Sequence, residues 1–144
     1  MRTKIKLQYL LLVGALALGS CQKEYVQPKP CTPPPPPGSV KFGADIATIF
    51  TTHCLGSGCH ASGDNAPDLS EGHAYNSLKP GQMSSTSTGS PLAFCDTINP
   101  TNSVFYIRIH ATTPVPQMPM SAAALPSDYQ AKVLAWITAG AKNN

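Results

Sequence analysis

Two thiols and an imidazole fall within seven residues, Cys54-Leu55-Gly56-Ser57-Gly58-Cys59-His60. Three chemistries suit such a set. The thiols can close a local disulfide. With His60 and another histidine they can bind zinc, although secreted structural zinc sites usually show two paired-ligand clusters and the sequence holds no second one. Or the two thiols can add to the vinyl groups of a haem while His60 supplies the proximal nitrogen to its iron. The usual signature for that attachment is C-x-x-C-H. Here four residues separate the thiols instead of two. The intervening Gly/Ser-rich loop can bulge, which keeps both thiols within reach of both vinyls.

A haem iron held by His usually takes a sixth ligand, and in electron-transfer proteins that is often a Met sulfur, which raises the reduction potential. Met118 and Met120 stand in Gln117-Met118-Pro119-Met120, a proline-rich stretch where a thioether is less readily core filler. His110 and His73 are the other candidates, and an open sixth position is the remaining one. His53 reads as a helix-end residue close to the site and not as a ligand. Arg108 and Lys79 are the cations available to the acidic groups of a haem. Tyr75, Phe94, Phe105, Tyr106 and Trp136 read as core around it.

The elements that must position these groups are mostly helical. Over Ala44 to Cys54, the residues Ile46, Ile49, Phe50 and His53 recur at helical spacing, and Asp45 suits a first turn. Residues 61–70 read as loop, Glu71 to Leu78 as a short helix, and Met83 to Pro91 as a Ser/Thr/Gly loop. Asn102 to His110 is periodic, but its β-branched content leaves helix and strand open. Residues 112–126 hold four prolines and no period, hence extended loop. The closing helix is the clearest: Ser127 and Gln130 form a capping-box pattern, Tyr129, Val133, Trp136 and Ile137 follow at three- and four-residue steps, and Gly140 ends it. The expected class is all-α, with no convincing strand. Trp136 is expected to pack against Phe50.

The chain has 144 residues, enough for one ordinary domain, and its 12% charged residues are about half the usual share. The formal charge of +3 owes its excess to Arg2, Lys4 and Lys6; past residue 20, seven Lys/Arg balance seven Asp/Glu. A neutral mature chain is a poor candidate for a nucleic-acid binder, because phosphate neutralisation needs clustered cations, and no nucleic-acid partner is expected. The same three cations, the apolar run Leu7 to Leu18 and the small residues before Cys21 describe a secretory signal. No apolar run reaches the ~18 residues of a membrane span. Residues 22–40 carry seven prolines, five of them consecutive at Pro33 to Pro37. Extended at ~3.1 Å per residue, such a tether reaches ~60 Å.

Leu18-Gly19-Ser20-Cys21 resembles the lipobox of bacterial lipoproteins. That resemblance makes 1–20 the signal peptide and Cys21 the acylated first residue of the mature chain, in a disulfide-permissive compartment. It implies a protein anchored by lipid to a bacterial membrane, on the periplasmic side or at the cell surface. Residues 21–40 are then lipidated Cys and tether, and 41–144 the folded domain. The chain from Asp45-Ile46-Ala47-Thr48-Ile49-Phe50 onward resembles a small monohaem c-type cytochrome, class I-like, of bacterial lipoprotein type. The resemblance runs through the Cys54–His60 motif, Pro67-Asp68-Leu69-Ser70, Asn99-Pro100, Ser103 to Ile109, Met118-Pro119 and Leu134-Ala135-Trp136-Ile137 to the Gly140-Ala141-Lys142-Asn143-Asn144 ending. The family includes sites with the longer Cys spacing. The resemblance implies short helices and long loops wrapped around one covalent haem c, with the N- and C-terminal helices crossing. It implies Cys54 and Cys59 as attachment points, His60 as proximal ligand and Met118, by family position, as the distal one. Cys31 and Cys95 remain as an even pair, and a disulfide between tether and domain is one reading of them.

With Met on iron no coordination position stays open to substrate, so the expectation is an electron carrier and not an enzyme, serving extracytoplasmic redox proteins. Two alternatives stand: a haem enzyme or gas sensor with an open sixth site, and a haem-free, disulfide-stapled surface lipoprotein.

Overall fold

A π turn, Phe42–Ile46, opens the first helical segment and runs directly into α1, Ala47–His53. The computed structural model describes residues 33–85, 91–110 and 116–144, which belong to the compact unit Thr32–Asn144. The segment is secured at its start by Asp45, whose Oδ2 accepts the Lys41 N–H at 2.9 Å while Oδ1 accepts the Lys132 ammonium at 2.9 Å. Helices α2, Ala74–Leu78, and α3, Val104–Ile109, are short. A 3₁₀ turn, Pro100–Asn102, leads into α3. Ser103, at 0% exposure, fastens that entry: its Oγ accepts the Asp96 N–H at 2.8 Å. The region left open between helix and strand is therefore helical.

The closing helix α4 spans Ser127–Thr138. Its end is a Schellman motif, in which Gly140 N–H donates to Ile137 O at 2.9 Å and Ala141 N–H to Trp136 O at 3.0 Å. Gly140 has φ +96°, a conformation that favours glycine. The tail then turns back on the opening segment. Trp136 Nε1–H donates to Lys142 O at 2.8 Å, Gly43 N–H to Asn144 O at 3.1 Å, and Phe42 N–H to Asn144 Oδ1 at 3.0 Å. The core between them comprises Ile46, Phe50, Val133, Trp136 and Ile137, all at 1% exposure or less.

Four details differ from expectation. Ser127 is the first helical residue and Pro126 the cap, so no capping box forms; Gln130 Nε2–H reaches back to the Leu125 carbonyl instead, at 2.6 Å. Trp136 meets Phe42, with ring centroids 5.4 Å apart, and Phe42 in turn meets Phe50 at 6.2 Å. The stretch read as loop begins in a strand, β1, Met83–Ser85, and at its last residue enters a second, β2, Pro91–Ala93, the two paired antiparallel with Met83 opposite Ala93. Three-residue strands are too short to show alternation. Finally, Pro34, Pro35 and Pro37, assigned to the tether, line one groove with Tyr106 and with Gln130, Ala131 and Leu134 of α4. The run ends in a turn, where Ser39 donates to the Pro36 carbonyl from both its N–H and its hydroxyl, at 3.1 and 2.7 Å.

Among the described residues no helix is long and apolar enough to cross a membrane. The signal segment, Cys21 and Cys31 lie outside the described residues.

Candidate functional site

The end of α1 delivers Cys54 to a cavity of about 520 Å³. Cys54 is the helix's C-cap, its N–H donating to Phe50 O at 2.8 Å. The chain then makes a compact loop. Cys59 N–H closes a turn on Gly56 O at 2.9 Å, and His60 N–H returns to Cys54 O at 3.1 Å. Gly58, third in that turn, has φ +72°, as a type II turn demands. The two residues beyond the usual spacing are thus absorbed in a closed bulge.

His60 lines the cavity with Cys54. Its Nδ1 lies 3.1 Å from the Asn65 carbonyl and 3.1 Å from the Pro67 carbonyl. Carbonyl oxygens only accept, so Nδ1 is the donor, and in the neutral ring Nε2 keeps its lone pair. The loop that offers those carbonyls is itself held, with Asn65 Nδ2–H donating to Gly58 O at 2.7 Å and Leu69 N–H to His60 O at 2.8 Å. Asp68, in the same wall, accepts from the Ser70 hydroxyl and from its N–H, and these two bonds hold its carboxyl below the ordinary range.

Met118 reaches the cavity from the 116–118 segment, its N–H donating to Arg108 O at 2.7 Å. Leu69, Leu78, Phe94, Val104, Phe105 and Ile109 give apolar wall, and Arg108 adds a cation. Met83 also lines the cavity, although it is 54% exposed. Sequence reasoning passed over Met83, because nothing in its Ser/Thr surroundings marks it.

The structure does not bring every candidate here. Cys59 is exposed and does not line the cavity, but it lies near enough to Cys54 to act on it electrostatically. Burial first, and Cys59 second, push the Cys54 thiol up to about 11, so it stays protonated at neutral pH. Cys54, Cys59 and Cys95 are all free thiols, and burial takes Cys95 up to about 12. Met120 is 71% exposed and outside the cavity lining. His73 stands 3.9 Å from Asp68 on the surface, and His110 is 2.7 Å from Gln130 Oε1 and stacked on Tyr106. His53 packs its ring on Tyr129 at 5.3 Å, with Nε2 buried and unpartnered. Of the aromatic residues expected around the site, Phe94 and Phe105 line it, whereas Tyr75, Tyr106 and Trp136 do not; nor does Lys79. Among the described residues no group of three or more His, Cys, Asp or Glu converges as a zinc site would require.

No protein-family model, curated protein or solved structure matches the chain.

Proposed function

We propose that the chain is a membrane-anchored monohaem c-type cytochrome with a class I-like fold, passing single electrons between extracytoplasmic redox partners. The observation that carries this reading is one shared cavity, about 520 Å³, that Cys54, His60 and Met118 line together. Its size falls in the range of small-molecule and cofactor sites. The donor set suits haem c: an imidazole with one nitrogen fixed to the backbone, a soft thioether, a thiol in the wall and a second thiol close by. A bound haem supplies one-electron chemistry at its iron.

The remaining roles belong to the chain. The Asn65 and Pro67 carbonyls orient the His60 ring and make its free nitrogen a better donor. Met118 offers sulfur from a segment tied to α3. The apolar wall excludes water and so makes added charge in the cavity more costly, which tunes potential. Arg108 is the cation placed for acidic groups on the occupant. The Leu18–Cys21 motif provides the lipid anchor at Cys21.

A redox titration of the mature protein, made in a host with a haem-maturation system, tests the reading. One reversible one-electron wave is expected, with no carbon monoxide adduct of the reduced form. Ready carbon monoxide binding would point to the open-site enzyme or sensor. A colourless protein with Cys54 bonded to Cys59 would leave the haem-free lipoprotein.

A further inference from the structure

We infer that Arg108 is the positioning residue for Met118, gripping the distal segment at two points; this rests on Met118 being the thioether donor proposed above. Arg108 lies in the last turn of α3. Its main-chain carbonyl accepts the Met118 N–H at 2.7 Å. Its guanidinium Nη1–H donates to the Pro116 carbonyl at 3.1 Å. The two bonds bracket Gln117, so both ends of a three-residue segment are fixed to one residue. Either bond alone leaves the segment free to pivot about it.

The segment has little of its own to hold it. Pro116 and Pro119 have no N–H, so between them only Gln117 and Met118 can donate from the backbone, and the Met118 donor is spent on Arg108. Gln117 closes the other side through its side chain, with Nε2–H to Ala122 O at 3.0 Å. Arg108 itself stands on firm ground. Ile109 beside it is 3% exposed, and His110 is tied to Gln130 of α4 at 2.7 Å. Arg108 and Met118 line the same cavity, so the side chain that sets the segment borders the space into which the segment carries its sulfur. A guanidinium suits this role. It is always charged, it is a planar fork with five donors, and a charged donor bonds a carbonyl more strongly than a neutral one.

The test uses the full mature holoprotein and imidazole as a probe that competes for the distal position. Arg108→Leu keeps apolar bulk in the cavity wall, removes the fork and adds no thioether. The ferric variant is expected to bind imidazole about tenfold more tightly than wild type, as loss of one charge-assisted hydrogen bond implies. Its Met–iron charge-transfer band is expected to weaken while far-ultraviolet helicity stays unchanged. Arg108→Lys, which keeps a charged donor without the fork, is expected to bring imidazole binding most of the way back down to the wild-type level. Arg108→Gln repeats the measurement if Arg108→Leu does not accumulate. Wild-type imidazole affinity in the Leu and Gln variants would overturn the inference while the haem reading stands. Failure of the Lys variant to restore anything would overturn it too, since the effect would then come from packing. Absence of covalent haem in the wild type would overturn the reading and this inference with it.

Discussion

The side of the molecule built by α1, α4 and the C-terminal tail closes on its own atoms, whereas the side built by the 54–69 loop and the 116–118 segment closes around a cavity. On the first side Trp136 is 1% exposed, lies against Phe42 and has its one donor satisfied by Lys142 O. The tail returns two further bonds to Phe42 and Gly43. On the second side Cys54, His60, Met118 and Arg108 are held by backbone contacts, and their side chains border about 520 Å³ of space. The difference teaches a division of labour. A frame satisfied within itself lets loops carry donors at fixed positions without those donors bonding one another.

Substitutions on the two sides should therefore part company: one set changes stability, the other changes the site. The largest stability loss is expected for Trp136→Ala, about 4 kcal/mol in denaturant unfolding, with the visible spectrum of surviving folded protein unaltered. Met118→Leu is the reverse case. This near volume-conserving change should cost under about 1.5 kcal/mol. It should nonetheless lower the midpoint potential on the order of 0.1 V and open the reduced protein to carbon monoxide, read by redox titration and difference spectra. Met120→Leu should leave both unchanged, because Met120 is 71% exposed and outside the lining. If Met118→Leu keeps a thioether-ligated spectrum, Met83 becomes the donor to remove next.

Gly140→Ala should destabilise by about 1 kcal/mol, because φ is +96° there and the nearest atom to an added Cβ is 3.8 Å away, so backbone strain and not crowding sets the loss. The smallest effect belongs to the ion pair between Asp45 and Lys132, partly open to water, at ~0.5 kcal/mol. The Lys41 N–H first, and Lys132 second, hold the Asp45 carboxyl below its usual 3.8 in the folded protein. Its contribution is therefore fully present above that value and fades as pH falls through the lower, folded-state pKa. Asp45→Asn should lower stability by about 0.5 kcal/mol at neutral pH and flatten the acid limb below about pH 4, where wild type and variant converge.

How much was legible depends on the range of the physics. Gly140 could be read from sequence because a helix stop is local: a glycine just past a periodic run takes the left-handed conformation wherever it stands. Cys54 and His60 could be read together because their spacing is short, and Met118 because a thioether between prolines is out of place as core; all three line one cavity, which Cys59 does not. What was missed is long-range. Phe42, not Phe50, meets Trp136, because the π turn that begins at Phe42 brings its ring beneath α4. Gln130 serves Leu125 and His110 because Pro126 takes the cap that Ser127 seemed to offer. Prolines 34, 35 and 37 read as spacer until a helix face is set beside them. Met83 joins the cavity through the pairing of β1 with β2, which no alternation announces.

The central claim is that one haem is held covalently in the cavity beside Cys54, His60 and Met118. Mature protein from a haem-maturing host, denatured, resolved on a gel and tested for bound haem beside the Cys54→Ala/Cys59→Ala variant, addresses it directly. The account predicts a haem-positive wild-type band that the double variant loses. A haem-negative wild type, with a standard cytochrome matured in the same host, would contradict it.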